Sequence, residues 1–233
     1  MNNYNSKCLK RLFSKNRTVQ ALTFMAAILP MLSFAQQWEN VGPATGVSAG
    51  GSSFRNLAKD ANGNLYISYY DVTVTKGSVQ KYDGTSWSYL GGTAGITTGT
   101  ATYNALAVHD AQNIYYSNQD GYPNTGMNVR KFDGTSWSGF ANPEAGSVTY
   151  QALITDAAGI VYAGYGTANG TVKRYVNGAW EQVGTTGFAA GSATYIDLQA
   201  GTNGKYMYRL IITEMCMCTK TMPMPLPPSH GRL

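Results

Sequence analysis

Side chains able to bind a sugar recur in the most variable segments of the chain. Tyr70 and Asp71 end one aromatic and β-branched run, Asp120 and Tyr122 follow a second, and Tyr165 lies at the end of a third. An aromatic ring can stack on a sugar, and a carboxylate accepts hydrogen bonds from its hydroxyl groups. We therefore predict that these five residues contribute to a ligand-binding surface. The alternative is that they are solvated turn residues.

The sequence gives weaker evidence for catalytic residues than for ligand-binding residues. His109 is the one histidine between residues 36 and 204 and precedes Asp110, which could orient it as a base, but no serine or cysteine nucleophile motif accompanies it. A turn role is therefore favoured for His109. Single aspartates are scattered without a recognisable pair for glycoside hydrolysis. No glycine-rich phosphate loop, metal-binding cluster or nucleophile elbow occurs, so we predict no catalytic residue, cofactor or metal.

The charge distribution argues against nucleic acid as a partner. The whole chain has a net charge of +5, but its basic residues concentrate near the two ends. Residues 36–204 contain 8 basic and 11 acidic side chains. No basic stripe is left there to neutralise phosphates.

The first 35 residues are typical of a cleaved signal peptide. Basic residues up to Arg17 precede the apolar run VQALTFMAAILPMLSFA, and Ser33 and Ala35 are small residues suited to cleavage before Gln36. An uncleaved membrane anchor is the alternative, although the run is short and interrupted by Pro30. We predict a secreted or cell-surface protein with no membrane contact after cleavage.

One predicted hairpin motif recurs three times in the sequence. KYDGTSWSYLGG at 81–92 returns as KFDGTSWSGFAN at 131–142 and as RYVNGAWEQVGT at 174–185. The four tryptophans lie 49, 50 and 43 residues apart. Between them come an apolar alternating stretch, a short turn, an aromatic run and a variable loop, which predicts four antiparallel strands per unit.

Tandem four-stranded units of 40–50 residues predict an all-β fold, a β-propeller of four-stranded antiparallel blades. Residues 36–204 would form an incomplete ring of about three blades and the start of a fourth. An open stack or sandwich is the alternative. We expect the tryptophans of the full units near the outer edge, and Trp38 in an isolated copy of an outer strand. The recurrent leucines are expected between blades, at Leu57, Leu106, Leu153 and Leu198.

The motifs DANGNLYISYYD and VQKYDGTSWSYLG resemble secreted bacterial propeller repeats of the kelch-like, galactose-oxidase-like and two-component-regulator-propeller kinds. The resemblance covers residues 38–204 and implies a fold more than a function. The chain lacks the kelch double glycine and the Ser-x-Asp-x-Gly-x-Thr-Trp order of the sialidase Asp-box, so it carries over no copper oxidase or sialidase site.

The composition changes abruptly after Lys205, where methionine, cysteine and proline become frequent. Four prolines, at 223, 225, 227 and 228, predict that no blade forms there. Reading the codons one frame over permits Ile-Tyr-Val-Ser after NGK, so we interpret residues 205–233 as a frameshift product. A genuine divergent tail or a chance match is the alternative. Cys216 and Cys218 without histidine partners fall short of a zinc site.

The loops between second and third strands, and between units, are long and unlike one another, and this topology gathers them on one side of the fold. Variable loops on a rigid scaffold are where recognition usually lies. We predict an exported non-enzymatic protein that recognises a glycan or a surface protein through this long-loop face. The alternatives are a fragment of a polysaccharide-acting hydrolase or lyase, and a nonfunctional truncated product. The oligomeric state stays open.

Overall fold

A computed structural model describes residues 38–121, 126–201, 205–212 and 216–223 of the chain. The chain divides into two compact units, Met1–Val41 and Gly42–Leu233. In the first unit, residues 38–41 contain no strand, and the Trp38 side chain is fully exposed. The predicted signal peptide, residues 1–35, lies outside the described residues. No helix among the described residues is long and apolar enough to cross a membrane.

Among the described residues, the regular secondary structure of the second unit is fifteen strands and one short 3-10 helix, Thr167–Asn169. Sheet 1 contains β1 (Ser52–Lys59), β2 (Leu65–Asp71), β3 (Lys76–Tyr82) and β4 (Trp87–Tyr89). Sheet 2 contains β5 (Thr102–Asp110), β6 (Asn113–Gln119), β7 (Asn128–Phe132) and β8 (Trp137–Phe140). Sheet 3 contains β9 (Ala152–Thr155), β10 (Val161–Tyr165), β11 (Thr171–Val176) and β12 (Ala179–Gln182). Sheet 4 contains β13 (Ala193–Ala200), β14 (Lys205–Ile212) and β15 (Cys216–Pro223).

Each of the first three sheets is an antiparallel meander in chain order, which confirms the predicted four-stranded unit. The outer hairpins turn at the predicted dipeptides, where Gly84 and Gly134 have φ of 98° and 100°. Only glycine adopts this backbone conformation without strain. In both turns the aspartate before the glycine accepts hydrogen bonds from two following backbone amides, which fixes the turn.

Three apolar cores lie between successive sheets. The core between sheets 1 and 2 includes Leu106, the next includes Leu153, and the last includes Leu198; all three side chains are at most 8% exposed. The predicted inter-blade role is therefore confirmed for these leucines. It is wrong for Leu57, which is 68% exposed, because no described residue covers that face of sheet 1.

The outer tryptophans join one sheet to the next. The Trp137 indole Nε1–H donates to the Leu90 carbonyl oxygen at 2.8 Å, and the Trp180 Nε1–H donates to the Ala141 carbonyl oxygen at 2.7 Å. Both acceptors follow the last strand of the preceding sheet. The repeated tryptophan is thus a packing and hydrogen-bonding residue of the outer edge, as its regular spacing predicts.

The region after residue 204 differs from the prediction. Residues Lys205–Ile212 pair antiparallel with β13, and Cys216–Pro223 pair antiparallel with β14. Two strands therefore form where the prolines predict no blade, although this sheet has three strands and not four. The sequence YMYRLII has strand composition, and Pro223 ends an outermost strand, where a missing N–H costs least. Pro225, Pro227 and Pro228 lie outside the described residues, and the frameshift stays a prediction.

The protein is therefore all-β, with three four-stranded antiparallel sheets that fit an incomplete β-propeller. The first strands β1, β5, β9 and β13 lie side by side, one from each sheet. Their N-terminal ends follow the long connections between sheets. These ends therefore lie on the long-loop side and position the site described next.

Candidate functional site

The predicted ligand residues of sheet 1 are held within the fold. Asp71 is 1% exposed. Its Oδ1 accepts from the Thr73 backbone N–H at 3.0 Å, and its Oδ2 accepts from the Ser78 hydroxyl at 3.2 Å. Tyr70 is partly buried against the core between sheets 1 and 2. Both residues therefore shape the loop that follows β2.

The other predicted residues show a similar pattern. The Asp120 carboxylate accepts from the Thr98 hydroxyl at 2.7 Å, the Asn118 side-chain amide at 2.8 Å and the Gly99 backbone N–H at 3.2 Å. Tyr165 is fully buried, and burial together with the nearby Glu144 carboxylate raises its pKa. Tyr122 lies outside the described residues. The structure brings none of the four described residues, Tyr70, Asp71, Asp120 and Tyr165, to the cavity described below, and a ligand role for all five stays a prediction.

His109 and Asp110 lie at the opposite end of sheet 2, at the short turn between β5 and β6. The His109 Nε2 and Asp110 Oδ2 atoms are 3.9 Å apart. The Gln112 backbone N–H and the Asn113 side chain donate to Asp110, and these bonds lower the pKa of its carboxyl group. The pair therefore serves a turn, as the sequence favours. No group of three or more potential metal ligands occurs in the described part of the chain.

A row of four aromatic side chains runs across the four sheets where the first strands begin. We call Phe54, Tyr103, Tyr150 and Tyr195 the aromatic row. Ring centroids of successive members lie 5.3, 5.3 and 4.6 Å apart, with interplanar angles of 50°, 62° and 51°. A hydrogen bond with the Tyr195 hydroxyl raises the pKa of Tyr150, so the Tyr150 phenol stays protonated at neutral pH.

The backbone of the aromatic row is strained in the same way four times. The φ angles of its members are 49°, 50°, 52° and 50°. A left-handed conformation is rare for bulky residues and costs roughly 1–2 kcal/mol each. The strand pairing shifts at this position in sheets 1, 2 and 4, so the aromatic occupies a bulge and turns out of the regular pleat. Repeated strain of this kind is typical of residues held for function.

The aromatic row lines a cavity of about 500 Å³. This volume lies within the range of small-molecule sites. The other lining residues are mostly polar: Arg55, Asn56, Asn104, Gln151 and Ile196. Aromatic faces with amide and hydroxyl groups between them are the surface that a sugar needs, because its C–H faces stack and its hydroxyl groups bond.

Some of the side-chain amides that line the cavity have hydrogen-bond partners in the described part of the chain, and one does not. The Asn56 Nδ2–H donates to the Asn104 Oδ1 at 2.7 Å and to the Asn104 carbonyl oxygen at 2.8 Å. The Gln151 side chain is 8% exposed, yet neither its Nε2 nor its Oε1 has a hydrogen-bond partner among the described residues. A buried amide without partners is costly. The Gln151 amide therefore has hydrogen-bonding capacity that no described residue uses.

Sequence reasoning missed this site, although its signal is present. An aromatic stands at the same repeat position in SFRNL, TYNAL, TYQAL and TYIDL, three residues before each recurrent leucine. The same pattern is typical of the beginning of a strand, and this interpretation hides a feature that pleat geometry alone does not require. An aromatic kept at one repeat position together with a polar residue after it, as in three of the four copies, is the signal that could have found the cavity.

No known protein family matches the sequence, and no curated protein matches it either. Solved structures do resemble the fold. The SapL1 lectin in complex with α-methyl fucoside is 16% identical, with a TM-score of 0.55, over 73% of this chain and 60% of that chain. A protein of unknown function from Dyadobacter fermentans is 14% identical, with a TM-score of 0.52, over 75% of this chain and 61% of that chain.

An endo-arabinase from Bacteroides thetaiotaomicron is 8% identical, with a TM-score of 0.50, over 83% of this chain and 82% of that chain. The chain spans about 60% of the length of the SapL1 lectin and of the Dyadobacter fermentans protein. The resembling structures include β-propeller lectins and glycoside hydrolases. At these identities the likeness shows the fold alone, and the kelch-like repeat type stays a prediction. The chain has the fold of an incomplete β-propeller.

Proposed function

We propose that this protein recognises a glycan, without chemical turnover, in the cavity lined by the aromatic row. The observation that carries the proposal is the row itself, four rings held at positive φ at equivalent positions around one cavity. The structural resemblance to lectins supports it. The five residues predicted from the sequence, Tyr70, Asp71, Asp120, Tyr122 and Tyr165, stay a separate prediction.

Binding is favoured over hydrolysis by the chemistry of the lining. Glycoside hydrolysis in most enzymes needs two carboxyl groups about 5 to 10 Å apart across the bond that breaks. None of the nine residues that line the cavity is aspartate or glutamate. Arg55 is the one charged residue among them. Among the residues that the structure describes, the hydrolase alternative therefore has no carboxyl group in the lining of this cavity.

The export prediction fits a glycan ligand, because sugars suited to such a cavity are abundant on and between cells. We propose that the protein acts at the cell surface or outside the cell. The predicted signal peptide supports this location. Fractionation of expressing cells tests it, and retention of the full-length chain in the cytoplasm would contradict it.

A glycan array with the full chain tests the function, followed by titration calorimetry on the strongest ligand. Tyr103→Ala should weaken binding roughly fivefold to 150-fold, because a stacked aromatic contributes about 1–3 kcal/mol by analogy with ring stacking elsewhere. The matched control is Tyr82→Ala, since Tyr82 is also half-buried but packs on Trp87 at the outer edge. Equal losses in both variants, or release of reducing sugar from the ligand, would contradict the proposal.

A further inference from the structure

The repeat allows the surroundings of the unpaired Gln151 amide to be compared with those of its counterpart one sheet earlier. Asn104 precedes Ala105 and Leu106 just as Gln151 precedes Ala152 and Leu153. Asn56 pairs with Ser68 in sheet 1, and the equivalent pair in sheet 2 is Ala105 with Ser117. Equivalent positions therefore face one another at the two inter-sheet junctions.

At the first junction the polar groups form a closed network. The Asn104 Oδ1 accepts from the Asn56 Nδ2–H at 2.7 Å and from the Ser68 hydroxyl at 3.1 Å. The Asn104 Nδ2–H donates to the Ala101 carbonyl oxygen at 3.4 Å. The Asn56 side chain therefore brings an amide into this junction and satisfies its neighbour.

At the second junction the same network lacks one member. Ala105 stands where Asn56 stands one sheet earlier, so its side chain brings no amide. Three buried polar atoms are left without a hydrogen-bond partner among the described residues: Gln151 Nε2, Gln151 Oε1 and Ser117 Oγ. Ser117 is fully buried. At the third junction the equivalent residues are Ala152, Gly164 and Ile196, so no polar side chain needs a partner.

We infer that the second junction binds the acetamido group of an N-acetylated sugar. The inference rests on the proposed function, because the sugar ring would occupy the cavity that Gln151 lines. An acetamido group carries one N–H donor and one carbonyl acceptor in a plane, as a side-chain amide does. Because the N–H and the carbonyl of a trans amide point in opposite directions, the N–H donates to Gln151 Oε1, the carbonyl accepts from the Ser117 hydroxyl, and the methyl group lies towards Ala105.

A neutral hydroxyl satisfies this junction less well. A hydroxyl group carries its one donor and its acceptor sites on a single atom, whereas the donor and the acceptor of an acetamido group lie on two atoms that can reach Gln151 and Ser117 separately. The amide of Asn56 shows that the repeat backbone has room for a planar amide at the equivalent place. Satisfying two buried groups at once is worth roughly tenfold in affinity or more.

Titration calorimetry on the full chain tests the inference, with N-acetylglucosamine against glucose and N-acetylgalactosamine against galactose as matched probes. We expect at least one N-acetylated sugar to bind roughly tenfold more tightly than its parent. Equal affinities within both pairs would overturn the inference and leave the proposed function intact, with buried water as the partner of Gln151. No binding by these sugars or by any glycan on the array would refute the proposed function itself.

Two variants make the test specific. Ala105→Asn supplies the missing amide from the chain, so it should raise the melting temperature and reduce the affinity for the N-acetylated sugar to that for its parent. The matched control is Ala152→Asn, one sheet later, which should keep the affinity ratio. If Ala105→Asn does not fold, Gln151→Leu should also abolish the ratio. A ratio that persists in Gln151→Leu would overturn the inference.

Discussion

Leu57 and Leu153 occupy the same repeat position but differ sharply in exposure, and this difference predicts opposite outcomes for the same substitution. Leu153 is 5% exposed in the core between sheets 2 and 3, whereas Leu57 is 68% exposed. Replacing Leu153 by alanine removes buried apolar atoms and leaves a cavity, which costs about 2–5 kcal/mol of unfolding free energy. Replacing Leu57 removes atoms that are already largely in water, so we expect a change within about 0.5 kcal/mol.

Urea unfolding of the full chain, followed by circular dichroism, measures both variants against the unsubstituted protein. The Leu153→Ala midpoint should fall with little change in slope, and its melting temperature should drop by at least about 4 °C for a unit of this size. Leu57→Ala should have the same urea midpoint as the unsubstituted chain. Equal destabilisation by the two substitutions would refute the stacking described here, because it would mean that Leu57 is buried in the folded protein.

Three further predictions use the outer edge and the turns. Trp137→Phe should cost about 0.5–1.5 kcal/mol in urea unfolding, since it removes the bond to the Leu90 carbonyl; an unchanged midpoint would contradict that bond. Gly91→Ala should destabilise more than Gly92→Ala: both have φ near +86°, but only at Gly91 would the new Cβ meet the Trp137 ring, at 3.1 Å. Desolvation raises the pKa of Asp60, but hydrogen bonds from its turn outweigh this and lower it below 3.8, so stability should be lost as pH falls through that lowered pKa. Asp60→Asn should flatten this part of the stability profile, and an unchanged acid limb would contradict it.

The fold was largely predictable because its signals are local and repeated. Asp-Gly and Asn-Gly dipeptides specify the outer hairpins, and the tryptophan spacing specifies the unit length. Burial of each recurrent leucine follows once the sheets stack. The predicted burial of Leu57 is wrong because it depends on a neighbouring sheet, and a local sequence pattern cannot show whether that sheet is present.

The cavity could not be predicted from strand rules, because it depends on a departure from them. A regular pleat would direct Tyr103 and Tyr150 according to simple alternation, whereas the left-handed backbone turns them towards one another. The unpaired Gln151 depends on a second non-local fact, the alanine that faces it from the preceding sheet. The loop carboxylates Asp71 and Asp120 were singled out by residue type, and their hydrogen bonds show them stabilising the loops.

A crystal structure of the full chain with the tightest glycan from the array tests the central claim most directly. We predict that the sugar lies in the cavity on Tyr103 and Tyr150, with a polar group within hydrogen-bond distance of the Gln151 amide. A sugar bound instead on the loops around Tyr70, Asp71 or Asp120, with the cavity unchanged, would contradict the account.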